Sequence, residues 1–307
     1  MVIAVFDLGT NVFNLLIARV SKDECSILKV IQRGSHIGKG GFKNGYLTKD
    51  AIDSSIEAMD NLTEILNQQG GATVVKAFAT SAIRDASNGE EFAVNLRSRY
   101  GIDVEIISGE REAELIYKGV RESLLLYNEK VLVLDIGGGS NEFIIADKSE
   151  IYWKMSYPLG VIRIKELINP SDPITREQID QYKSYLDKSL ETLIHQASIY
   201  RPKLLIGSSG SFDTLRELIF PGDSGELPAM ELPLDSFFDL HQRLLRSTRD
   251  ERIKMAGMSP MRVDYMVLGS IFAEYVITKL GITELYQSSY SLKEGYMAEV
   301  AASMTNY

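Results

Sequence analysis

The chain has 307 residues, 45% of them apolar and 24% charged, with a formal net charge of −9. The apolar fraction excludes global disorder, and no stretch reaches the roughly 20 apolar residues of a membrane-spanning helix. The acidic balance excludes a dedicated nucleic-acid-binding surface, and a single cysteine, Cys25, excludes an internal disulfide or a multi-thiolate zinc site.

Met1 to Asp7 reads as a buried strand from the first residues. It has no basic n-region and no cleavage site, so no secretory leader is expected. Together with the lone cysteine this points to a reducing, cytoplasmic compartment. Asp7-Leu8-Gly9-Thr10-Asn11 follows as a tight turn, and Leu15–Ala18 as the returning strand. Cys25, after Ser21-Lys22-Asp23-Glu24, is expected in a turn. His36, Lys39 and Lys43 fall on a glycine-rich surface loop. Thr48, with Asp50 in the next turn, opens a long amphipathic helix. Ala77–Ser81 reads as a short buried strand with a small-residue loop at its end, and Arg84 lies just beyond. Ser108–Leu126 reads as a helix with an acidic start.

The same order then returns. Asp135-Ile136-Gly137-Gly138 lies 128 residues after Asp7-Leu8-Gly9-Thr10. At that offset Ile3, Val5 and Phe6 fall on Val131, Val133 and Leu134, and Leu15–Ala18 on Phe143–Ala146. At an offset of 127, Thr48–Asp53 falls on Thr175–Asp180 and Ala77–Ser81 on Leu204–Ser208. Five matches in one order, with one residue of drift, indicate a duplicated α/β unit. The junction is expected near Tyr127–Lys130, giving lobes 1–126 and 127–307. Phe220–Pro233 reads as a surface loop. A last helix over about 291–307 is expected to pack back on the first lobe.

The chemistry concentrates at the turns. Gly137, Gly138 and Gly139, followed by Ser140, let backbone N–H groups approach an anion closely. Asp135, at the end of its strand, is placed to hold a hydrated Mg²⁺ or another divalent cation against phosphate oxygens. Glu142 is a second candidate ligand across the turn, and Asp7 a third. In the twin turn Gly9, Thr10 and Asn11 offer amide and hydroxyl groups to phosphate. Arg84 either grips phosphate or pairs with Asp85. Ser208 and Gly210, at a strand-to-helix junction, suit an anion at a helix N-terminus. The helix after Ser108 carries acids that complement its dipole or supply a general base. Spacing does not choose among Glu110, Glu112 and Glu114. There is no P-loop and no G-x-S-x-G elbow. Two such turns facing across a cleft would clamp a phosphate chain.

Taken in order, Asp7–Asn11, Ala79–Ala86, Ser108-Gly109-x-x-Glu112-Ala113, Asp135–Ser140 and Pro158–Arg163 resemble the exopolyphosphatase and guanosine pentaphosphate phosphatase family. Gly207–Ser211, Arg262-Val263-Asp264 and Ser291–Gly295 resemble it too. The resemblance implies duplicated ribonuclease-H-like domains of actin-like fold with an interdomain cleft. It implies Mg²⁺-assisted release of terminal phosphate from polyphosphate, or from pppGpp. It implies Glu112 as the catalytic glutamate, Asp135 and Glu142 at the metal, and Arg84 on phosphate. The chain departs from the family at Val12, Asn14, Asn141, His36 and Lys293. No histidine is followed by aspartate, so the short, two-domain form is expected. A homodimer is expected, with no nucleic-acid or membrane partner. A sugar or acetate kinase on the same fold and a non-catalytic polyphosphate or nucleotide sensor are the readings of other classes.

Overall fold

The computed structural model describes residues 1–22, 24–124, 129–223 and 225–305. Val2–Leu8 forms β1, which pairs antiparallel with β2 (Val12–Val20); β2 pairs antiparallel with β3 (Cys25–Gly34). Alternate side chains of a strand face opposite ways. Ala4, Phe6 and Leu8 enter one core, and Ile3 and Val5 enter another, so β1 must be apolar on both faces. Helix α1 (Lys49–Gln68) crosses over, its start capped by the Thr48 hydroxyl accepting from Ala51 N. That crossover lets β4 (Val74–Ala79) pair parallel with β1. Then come α2 (Ser81–Asp85), α3 (Gly89–Tyr100), β5 (Asp103–Ile106) and α4 (Gly109–Ser123). The sheet order is β3-β2-β1-β4-β5.

The second half repeats the plan. Hairpin strands β6 (Val131–Ile136), β7 (Asn141–Ala146) and β8 (Ile151–Tyr157) lead into α5 (Val161–Ile168), α6 (Arg176–Ser189) and α7 (Glu191–Tyr200). Strand β9 (Leu204–Ser208) and helix α8 (Ser209–Ile219) follow, then β10 (Ala229–Glu231), α9 (Leu234–Arg246) and α10 (Arg249–Arg252). Helix α11 (Met266–Leu280), strand β11 (Glu284–Ser288) and helix α12 (Leu292–Thr305) end the described chain. The second sheet runs β10-β11-β9-β6-β7-β8. Read from β8, it has the order and strand directions of the first, with β10 added at the edge. In register, Asp7 faces Asn14 across β1–β2, and Asp135 faces Glu142 across β6–β7. The spacing repeat is therefore a repeat of topology. This is the duplicated ribonuclease-H-like, actin-like α/β fold that the resemblance implied.

Three expectations change. Cys25 opens strand β3 instead of lying in a turn, and it is exposed. The loop Phe220–Pro233 contains β10, which pairs antiparallel with β11 and covers the edge of the second sheet. The helix from Ser108 is α4, ending at Ser123. The expected lobe junction at 126/127 lies outside the described residues. Among the described residues no helix is long and apolar enough to cross a membrane.

Helices α4 and α12 fill the space between the sheets. Their Leu115, Ile116, Leu292 and Met297 share one core with Ile3 and Val5 of the first sheet and Val131 and Val133 of the second. The two helices touch backbone to backbone. A Cβ on Gly295 would fall 1.8 Å from the Leu115 carbonyl oxygen, and one on Gly119 would fall 2.0 Å from that of Ser291. Gly295→Ala should therefore destabilise the protein by about 1–3 kcal/mol, the cost of overpacking a filled site. Urea unfolding of the variant checks this; an unchanged midpoint would refute the close crossing.

Candidate active site

Both glycine turns open into one cleft of about 90 Å³. They also touch each other. A Cβ on Gly138 would meet Thr10 Cβ at 3.0 Å, and one on Gly139 would meet Thr10 Oγ1 at 2.8 Å and Ser81 Oγ at 2.6 Å. Side chains at these positions would wedge the lobes apart. The turn carbonyls are already used by the start of α5. Val161 N donates to Gly137 O (3.0 Å) and Ile162 N donates to Gly138 O (2.9 Å). Gly160 makes this packing possible, since its Cβ would fall 2.3 Å from Gly139 N. Gly9, Thr10, Asn11, Gly137, Gly138, Gly139 and Ser140 all line the cleft.

Four carboxylates converge there. Glu112 is buried at the start of α4, and Arg84 Nη1 donates to its Oε2 at 2.8 Å. Burial pushes Glu112 up to about 7, against the pull of Arg84, and the charges of Asp135 and Asp7 add to the rise. Asp135 accepts from the Ser209 hydroxyl and, at 3.2 Å, from that of Ser291. It is pushed up to about 6, mainly by burial. Glu142 accepts from Ser140 Oγ (2.7 Å) and Ser156 Oγ (2.6 Å). Burial, then Glu112 and Asp135, hold it well above the usual carboxylate range. Asp7 accepts from Asn14 Nδ2 at 3.0 Å and rises to about 6, again through burial first.

With Asp213 the cleft wall holds five carboxylates against two cations, Arg262 and Lys293. Burial works against the Lys293 charge, but Glu294, Asp7 and Asp213 more than offset it and keep the ammonium above its ordinary range. Arg262 lies over Gly210, where a Cβ would fall 1.8 Å from Nη2. Neither cation was assigned a role from the sequence, although both lie in stretches that carry the resemblance. Among the described residues no three of His, Cys, Asp and Glu form a ready-made metal cage. The donor set nevertheless fits Mg²⁺, which takes one or two carboxylates and completes its shell with water and phosphate oxygens. Surplus buried negative charge is what such a cation would offset.

A model of the Ppx/GppA phosphatase family matches residues 16–304. The chain belongs to that family. This Ppx/GppA phosphatase is similar to a crystal structure of an exopolyphosphatase from Cytophaga hutchinsonii, with a TM-score of 0.95 and 35% identity over 99% of this chain and 98% of that one. The Aquifex aeolicus PPX-GPPA enzyme matches with a TM-score of 0.80 and 25% identity, over 97% and 99%. Exopolyphosphatase 1 of Mycobacterium tuberculosis is 28% identical over 299 residues, 96% of this chain and 87% of that protein.

The site of this Ppx/GppA phosphatase differs from the sequence expectation at several residues. Ser208 does not line the cleft: it is fully buried in β9, opposite Asp135 and Ser288. Ser209 stands there instead, held at a φ of 66° with its hydroxyl on Asp135. Arg84 lies in an adjoining groove and is the partner of Glu112, with Asp85 farther away at 3.6 Å. The Asn11 carboxamide is committed, donating to Met261 O (2.8 Å) and meeting His36 Nδ1 (3.0 Å). Its backbone carbonyl also accepts from Ser35 N (2.9 Å) and His36 N (3.1 Å), so Asn11 can meet an anion only through its backbone N–H. Asn141 turns away from the cleft and donates to Leu159 O at 3.0 Å. Asn14 lines the cleft and donates to Asp7.

Proposed function

We propose that the protein is an exopolyphosphatase that hydrolyses the terminal phosphoanhydride of inorganic polyphosphate with the help of Mg²⁺. The observation that carries this reading is Glu112, a buried carboxylate poised near pH 7, facing two glycine turns across a cleft rich in acids. The names of relatives up to 35% identical supply the substrate class.

The terminal phosphate enters between the turns. Backbone N–H groups of Gly9–Asn11 and Gly138–Ser140 receive its oxygens, while the Gly137 N–H stays on Ser140 O; Lys293 and Arg262 line the same cleft. Glu112, held in place by Arg84, orients a water and takes its proton as the oxygen attacks phosphorus in line. A base near pH 7 is half ionised at neutral pH, which suits proton transfer. Asp135 and Glu142, with Asp7 nearby, are the residues that would hold Mg²⁺. When bound, the ion offsets charge on the phosphoryl oxygens.

The test is orthophosphate release from polyphosphate of graded chain length, with pppGpp and ATP in parallel. Release from polyphosphate in Mg²⁺ is expected to exceed release from either nucleotide. Faster turnover of pppGpp would reassign the substrate. Tight binding of polyphosphate with no release in any divalent metal would replace the enzyme by a sensor.

A further inference from the structure

Two grooves adjoin the cleft, and they differ in kind. One, of about 600 Å³, shares Gln32, Gly210, Asp213, Arg262, Ser289 and Lys293 with the cleft wall and so is continuous with it. The other, of about 580 Å³, shares Ser140 and is lined by Arg84, Lys154, Met155 and Ser156. Between this second groove and the cleft stands the Glu112–Arg84 pair, with Glu112 on the cleft side and Arg84 on the groove side.

We propose that the groove under Arg84 is the portal through which the attacking water enters and product orthophosphate leaves, while the continuous groove past Lys293 holds the rest of the substrate. The proposal rests on Glu112 being the base. In-line attack puts water and base on the face of the phosphorus opposite the bridging oxygen. Glu112 lies on the cleft side of Arg84, which lines that groove, while Lys293 and Arg262 line the other one, so the leaving chain points towards Lys293 and Arg262. That chain, still held by those cations, blocks its own side when the new phosphate is formed. The free phosphate has the other side to leave by.

The chemistry also supplies a gate. The water oxygen bonds to the terminal phosphorus, and the bond from phosphorus to the bridging oxygen breaks. Its electron pair stays with the shortened chain, and the water proton goes to Glu112. Neutral Glu112 no longer holds Arg84 by charge. The hydrogen bond stays, but the guanidinium charge is no longer offset by Glu112 and is available to the phosphate anion on the groove side; Lys154, paired with Glu114, also lines that groove. Of the Arg84 nitrogens, Nη1 makes the bonds to Glu112 and Ile107 O, while Nη2 lies towards Gly109 in the groove wall.

The experiment compares cleavage with release. Inorganic tripolyphosphate and Mg²⁺ are mixed with excess enzyme, cleavage is followed by rapid quench, and free phosphate by a fluorescent phosphate-binding sensor. Met155→Trp narrows the groove at an exposed position, and Met155→Glu adds a negative charge there. In both, cleavage is expected at the wild-type rate, with phosphate release lagging it several-fold. Val30→Trp, in the other groove, is expected to raise KM without a lag. Release in step with cleavage in both portal variants overturns the portal, as does a lag confined to Val30→Trp. A wild type that leaves tripolyphosphate uncleaved overturns the hydrolase reading, and the portal with it.

Discussion

Glu112→Gln should lower kcat by about 10²–10⁴-fold, the usual cost of losing a positioned base, with no loss of stability. Glutamine keeps an oxygen for Arg84 to bond, so the Glu112–Arg84 geometry at the start of α4 is preserved. Relative to wild type the variant should gain stability at alkaline pH, and the sign follows from linkage. Burial raises Glu112 to about 7 in the folded protein, above its value in the unfolded chain. Between the two values the folded state binds more protons, so stability falls as pH rises. Glutamine has no such dependence. The variant should therefore melt at or above the wild type at pH 8 and converge with it near pH 5. A rate within twofold of wild type would remove Glu112 as the base. A rate loss accompanied by a lower melting point would instead mean a damaged fold.

The same residue sets the pH profile. Wild-type kcat/KM should rise with pH through an acid limb at or below about 7, since burial lifts Glu112 first and a bound cation opposes the part of the rise that comes from Asp135 and Asp7. Arg84 favours the ionised form, so Arg84→Met should move that limb to higher pH. The limb should vanish in Glu112→Gln. A profile unchanged in both variants would assign the limb to another group.

The duplication was legible because the turns demand residues that few other positions need. An Asp-x-Gly repeated at a spacing of 128 survives as a shared register, Asp7 facing Asn14 and Asp135 facing Glu142. The burial of Glu112 was legible too, had helical period been applied. Glu112, Leu115, Ile116 and Gly119 share one face of α4 and are buried, while Glu110 is exposed and Glu114 pairs with Lys154 and Arg111. Lys293 and Arg262 were not legible as cleft residues. They reach it only because α12 returns between the sheets and because Gly210 leaves room for a guanidinium. Nor did local sequence distinguish Ser208 from Ser209. One peptide decides it: the strand ends at Ser208, and the next residue turns through a positive φ to aim its hydroxyl at Asp135.

Removing divalent cations should abolish turnover, and Asp135→Asn should lower it by at least about 10²-fold, on the scale of losing a group that stabilises transition-state charge. The physical cause is the same excess of buried negative charge, five carboxylates facing two cations. Asp135, Asp7 and Glu142 are all raised by burial; the charge of Asp7 adds to the rise at Asp135, and those of Glu112 and Asp135 add to it at Glu142. A cation that binds only the folded site stabilises it by about 2.7 kcal/mol at a hundred times its dissociation constant. Millimolar Mg²⁺ should therefore raise the melting temperature. The rise should be larger at pH 8 than at pH 5, because below about 6 Asp7 and Asp135 take up protons that compete with the metal. Asparagine at 135 can still accept from Ser209 and Ser291, so the β6 end stays in place while the charge is lost. The variant should melt normally without metal and show little Mg²⁺-dependent shift. Full turnover in excess EDTA would remove the cation from the chemistry. An undiminished shift in Asp135→Asn would place it on other ligands.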